Sequence, residues 1–174
     1  MSDAMNKRDQ WVAAMLLGGF TFGGHLRRED YADLRPGNHM DVLRRVTPVM
    51  DDGFPMDAAR QAVAEWKGLR PLFLGDFHLL LPLSVSASDW CAFQLHRQDL
   101  REGFALFFRR HQSPFLTFQA DLRQIDPAAT YEVTLSAGYQ TPPPTRMAGA
   151  DLRRLAITID EAPGSVLLRY RKVR

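Results

Sequence analysis

Acid/base, metal or stacking chemistry in this 174-residue sequence could come from only a few carboxylates, imidazoles and aromatic rings. The carboxylate that stands out is Asp76, set in "LRPLFLGDFHLLLPL" (69–83), an almost unbroken apolar run. A buried carboxylate is costly unless it is hydrogen-bonded or paired. Gly75 can take backbone angles closed to other residues, and an Asp in a turn can accept N–H bonds from the residues that follow it. Asp76 is therefore either a structural anion at a turn or an acceptor for a ligand hydroxyl. General acid work would need a second carboxylate close by, and none can be placed. Trp90, at the start of "DWCAFQLHR", could stack on a ligand ring or fill the core with its N–H satisfied. Asp76 and Trp90 are the candidate substrate-binding residues, and no residue is assigned a catalytic role.

Other chemistries find little support. The histidines at 25, 39, 78, 96 and 111 are dispersed, with no two in metal-ligand spacing, so no metal site and no cofactor are expected. The single cysteine, Cys91, allows no intrachain disulfide and reads as a small buried residue. No nucleophile elbow, phosphate loop or dinucleotide fingerprint occurs. Arg109 and Arg110 read as a strand end with one side chain on each face, held by an ion pair with an acid. A formal charge of only +2, with both signs interspersed, gives no nucleic-acid footprint. The cluster "RYRKVR" (169–174) is a charged last strand or a site for an anionic partner. No membrane span is expected, because the apolar stretch in "WVAAMLLGGFTFGG" is short and broken by glycine pairs. The same interruptions argue against a secretory signal. A cytoplasmic location is expected, with secretion as the alternative.

The elements that must position these residues fall into two halves. Residues 37–50 carry a three-residue apolar spacing at Met40, Leu43 and Val46, which predicts a helix. "MDAARQAVAEWKGLRP" predicts a second, with Met56, Ala59, Val63 and Trp66 as its stripe and Gly68 and Pro71 closing it. "GGFTFGG" reads as a buried helix end leading into a strand. Beyond about residue 72 the period becomes two. Strands are predicted at 89–97, 102–110, 114–122, 130–139, 155–161 and 165–173, separated by turn signals. "PPP" at 142–144 marks a loop at a sheet edge. Short strands every dozen or so residues imply an antiparallel β-sandwich. In 89–97, Cys91, Phe93 and Leu95 share one face. Trp90, Ala92, Gln94 and His96 share the other, more polar one, which is expected to be solvated or packed on the helical segment.

An ordered series of short motifs carries a resemblance. Gly75-Asp76-Phe77 and Pro82-Leu83 are followed by Trp90, Gln94 and Arg97. After these come Gly103, the Phe108-Arg109-Arg110 triplet, "IDPAATYEV" and "PGSVLLRYRK". Over roughly residues 40–172 this series resembles the C-terminal end of melibiase-type, α-galactosidase-like glycoside hydrolases. His78 stands where members of that family more often carry tyrosine. The resemblance implies a mainly β fold, in which a C-terminal antiparallel β-sandwich (71–174) follows a short helical remnant of a (β/α)8 barrel (1–70). Catalysis in that family uses a carboxylate pair projecting from barrel strands, the nucleophile following an apolar strand in a Lys-x-Asp context. No apolar strand running into Lys-x-Asp occurs here, so the family's catalytic pair is missing from this sequence.

The resulting expectation is the C-terminal part of such a hydrolase, inactive alone and packing against a catalytic barrel in carbohydrate metabolism. A carbohydrate, a partner barrel chain or a second copy of the chain are the partners it implies. A free-standing carbohydrate-binding or protein-interaction β-sandwich is the alternative, with sugars read through Trp90 or neighbouring aromatics; Asp76 would face a sugar hydroxyl at the barrel–sandwich junction.

Overall fold

Residues 56–139 and 141–173 are described by a computed structural model. The predicted helix at 37–50 and the "GGFTFGG" segment lie outside them. Helix α1 (Met56–Leu69) has Asp57 in its first turn and Lys67 in its last, each favourable to the helix dipole. Its buried residues are Ala59, Ala62 and Leu69, while Met56, expected on the stripe, is exposed. A 3-10 turn (Arg70–Leu74) follows, with Pro71 at its start, where a missing N–H costs nothing.

The chain then enters β1 (Asp76–Leu79), β2 (Cys91–Arg97), β3 (Glu102–Arg109) and β4 (Thr117–Gln119). These are followed by β5 (Thr130–Ser136), β6 (Thr145–Ala148), the short helix α2 (Gly149–Arg153), β7 (Ala156–Thr158) and β8 (Gly164–Lys172). Six strands form one antiparallel sheet in the order β1-β2-β3-β8-β5-β6, and β4 and β7 form a second, two-stranded sheet. The architecture is mainly β, as expected. All six predicted strands are present, though β4 and β7 shrink to three residues each. Edge strands β1 and β6 and helix α2 were not foreseen. The triple proline does precede an edge strand.

The large sheet buries apolar side chains on both faces. Its inner face (Trp90, Ala92, Phe107, Val133, Leu168, Tyr170) meets Leu122, Ile125, Leu152, Ile157 and Ile159 from the smaller layer. Its outer face carries Phe93, Leu95, Phe104, Leu106 and Leu167, which pack against Leu69 and Leu72. Each such buried side chain contributes about 1.5–3 kcal/mol of transfer free energy. The expectation for β2 is thereby corrected. The face of Gln94 and His96 is neither solvated nor under the helical segment but lies inside the sandwich, whereas the Phe93 and Leu95 face meets α1 and its following turn. Cys91 is half-buried rather than buried.

The arginine pair is corrected too. Arg109 reaches across the core and donates to the Ile159, Asp160 and Ser113 carbonyl oxygens at 2.9, 2.7 and 2.9 Å. Arg110 donates to Ser86 O at 2.6 Å and Ser84 O at 2.8 Å. Both cations satisfy loop carbonyls, not acids, because the long loops on either side leave backbone acceptors without strand partners. The first four residues of the C-terminal basic run, Arg169–Lys172, form the end of central strand β8, where Arg171 pairs with Glu132 (2.7 Å) and Lys172 with Asp126 (2.8 Å).

Candidate functional site

Asp76 and Trp90 sit at opposite ends of β2. Asp76 is paired across from His96, and Trp90 directly precedes Cys91. Six residues of strand separate the two positions, about 20 Å at a strand rise of 3.3 Å per residue. They cannot serve one small ligand.

Asp76 is exposed, and its carboxylate accepts a 2.7 Å hydrogen bond from Gln124 Nε2 rather than from backbone N–H groups. Gly75 is in ordinary extended backbone (φ −91°, ψ −174°). Its need for glycine is one of space: an added Cβ would lie 2.2 Å from the carbonyl oxygen of His96. The pair thus enters a strand pressed against its neighbour, not a tight turn.

Beside Asp76, on the inner face, lies a polar cluster that the sequence pattern had misplaced. Gln94 is fully buried. Its Nε2 donates to Arg123 O (2.8 Å) and to the Tyr170 hydroxyl (2.6 Å), and its Oε1 accepts from Arg123 N (2.8 Å). His96 Nδ1 lies 2.9 Å from the same hydroxyl, and Nε2 lies 3.3 Å from Gln98 Oε1. Since the hydroxyl accepts from Gln94, its own proton is free to go to His96 Nδ1. The network therefore assigns the His96 proton to Nε2, facing Gln98. Burial lowers the His96 pKa below its usual 6.5, with the Gln98 bond opposing the shift. Burial also drives the Tyr170 phenol well above its ordinary range. Gly103 makes room for this contact: a Cβ there would lie 2.1 Å from the Tyr170 oxygen. Gln94, His96 and Tyr170 are buried, with Gln98 exposed at the cluster's edge, so the cluster ties the 120–125 segment to the sheet. Its only sequence signal is the two-residue spacing of Gln94 and His96; Tyr170 is more than 70 residues away.

At the other end, Trp90 is only 6% exposed, and its Nε1 donates to Phe115 O at 3.0 Å. Trp90 lines an open cleft of about 400 Å3 together with Pro82, Ser88, Asp89, Phe115 and Phe118. This is within the range of small-molecule sites, about 300–1,000 Å3. The ring that meets solvent is Phe115, 68% exposed; the sequence pattern set it within a predicted strand (114–122), whereas it lies in the irregular segment before β4. Among the described residues no group of three His, Cys, Asp or Glu side chains could hold a metal ion. No helix among them is long and apolar enough to cross a membrane.

No protein-family model and no curated protein sequence matches the chain. Solved structures do. The galactosidase domain of an α-galactosidase–sucrose kinase, AgaSK, matches 74% of this chain at 16% identity and a TM-score of 0.54. An α-galactosidase from Lactobacillus brevis matches 77% at 15% identity and a TM-score of 0.57. The GH36 α-galactosidase AgaA from Geobacillus stearothermophilus, in complex with stachyose, matches 66% at 23% identity and a TM-score of 0.51. The chain spans 17%, 19% and 15% of the length of these three, respectively. It shares the fold of a part of these α-galactosidase structures.

Proposed function

We propose that this chain is the C-terminal module of an α-galactosidase-like glycoside hydrolase that works in carbohydrate metabolism. It is inactive alone and packs against a (β/α)8 catalytic barrel. Residues 1–70 contribute the last barrel elements in this reading, and residues 71–174 form the sandwich. The observation that carries it is the outer face of the large sheet. Its β1–β2–β3 half is as apolar as a core face. Helix α1 and the turn after it cover only part of that half, leaving Phe77 and Leu79 of β1 at 56% and 43% exposure, and Leu74 of the turn itself is 83% exposed. Apolar surface of this kind is what a further structural layer buries.

The fold shared with under one fifth of each α-galactosidase chain supports the same reading, as does the missing apolar-Lys-x-Asp strand. A single cysteine is in keeping with a reducing, cytoplasmic setting. The test is the coding sequence on the 5′ side of this chain and in neighbouring genes. A barrel-encoding segment with an apolar-Lys-x-Asp strand, in frame or as a separate adjacent gene, is expected. A locus with no barrel would overturn the proposal.

A further inference from the structure

We infer that the cleft over Trp90 is a binding site for an uncharged pyranose ring. This goes beyond the module reading and does not rest on it. A pyranose presents an apolar C–H face and a rim of hydroxyls, so it needs an aromatic wall and hydrogen-bonding groups beside it. Both are present. Phe115 offers an accessible ring, with Phe118 packed 5.9 Å from the Trp90 ring behind it. Asp89, also in the lining, is exposed, and its Oδ2 already accepts a 2.5 Å bond from the Ser84 hydroxyl. That bond fixes the carboxylate and leaves Oδ1 to accept from a ligand hydroxyl. The Ser88 hydroxyl, another lining group, can donate or accept.

The walls are fixed relative to each other. Trp90 Nε1 donates to Phe115 O, Gln112 N to Ala87 O at 3.2 Å, and Arg110 to the Ser84 and Ser86 carbonyls. A cleft held open this way spends little of a ligand's binding free energy on ordering. Its charge selects the ligand. No Lys or Arg among the described residues lines the cleft, which disfavours phosphates and acidic sugars.

The experiment is a titration of the 15N-labelled full chain with methyl α-galactopyranoside and methyl α-glucopyranoside, followed by amide shifts, with tetramethylammonium chloride as the cation probe. Either sugar is expected to give saturable shifts confined to Ser88, Asp89 and the 115–118 segment. Phe115→Ala is expected to weaken that binding roughly fivefold, the size of one aromatic stacking contact. Asp89→Asn tests the acceptor independently and is expected to weaken it as well. The Phe115 and Asp89 side chains are exposed, so both variants should keep the parent spectrum away from the cleft. Shifts that never saturate, saturation unaffected by both substitutions, or saturable binding of tetramethylammonium in place of sugar would each overturn the inference.

Discussion

Removing one oxygen from Tyr170 is expected to cost a large part of the stability of this fold. Tyr170→Phe keeps the ring in place, on strand β8 against Tyr131 and stacked near His96. It removes the acceptor for one Gln94 N–H (2.6 Å) and the donor to His96 Nδ1 (2.9 Å). Gln94 keeps both of its bonds to Arg123 but has a second N–H with nowhere to go. His96 Nδ1 loses its only partner among the described residues. Each buried orphan costs about 1–3 kcal/mol, so the substitution should cost roughly 2–6 kcal/mol. Domains of this kind are stable by only about 5–15 kcal/mol in all. Urea unfolding followed by far-ultraviolet circular dichroism measures the effect. With an m-value of about 2 kcal/mol/M, the midpoint should fall by about 1–3 M with the slope unchanged. Adding His96→Leu removes one of the two orphans, so the double variant should lose less than the sum of the single ones. A midpoint shift corresponding to less than about 0.5 kcal/mol would refute the claim that these groups are sealed and mutually satisfied.

Two further predictions use the same end of the sheet. His96 has a lowered folded-state pKa, so the unfolded chain binds its proton more readily. Its contribution is complete above pH 6.5 and is lost as pH falls below that value; His96→Gln should flatten the stability–pH slope below pH 6.5. Gly103→Ala would bring a methyl group to 2.1 Å from the Tyr170 oxygen and 2.6 Å from Leu95 O, with strand backbone on one side. It should destabilise by at least about 1–3 kcal/mol, read as a lower Tm, and a neutral result would contradict the close approach.

The main strands from residue 89 onward were legible because each alternates aromatic or β-branched residues with others and ends in turn residues. Strands β1 and β6 were not, since four residues at a sheet edge carry too little pattern to separate them from loop. The faces of β2 came out reversed for a physical reason. Alternation marks a solvent face only when one side is wet, and here both sides are covered. Gln94 and His96 looked wet because their partners, Tyr170 and the Arg123 backbone, are remote in sequence. The same limit hid the carbonyl partners of Arg109 and Arg110, which come from distant loops. At the cleft, Trp90 was visible as an aromatic at the start of a predicted strand. The exposure of Phe115 was not, because nothing in its local sequence says which way an irregular segment turns.

The central claim is that the chemistry belongs to a barrel and not to this chain. Hydrolysis of an aryl α-galactoside by the purified chain, monitored as release of the phenol, tests it most directly. The account predicts no release above the buffer blank at any protein concentration. Turnover at an ordinary enzymatic rate, about 1–10³ s⁻¹, would contradict it.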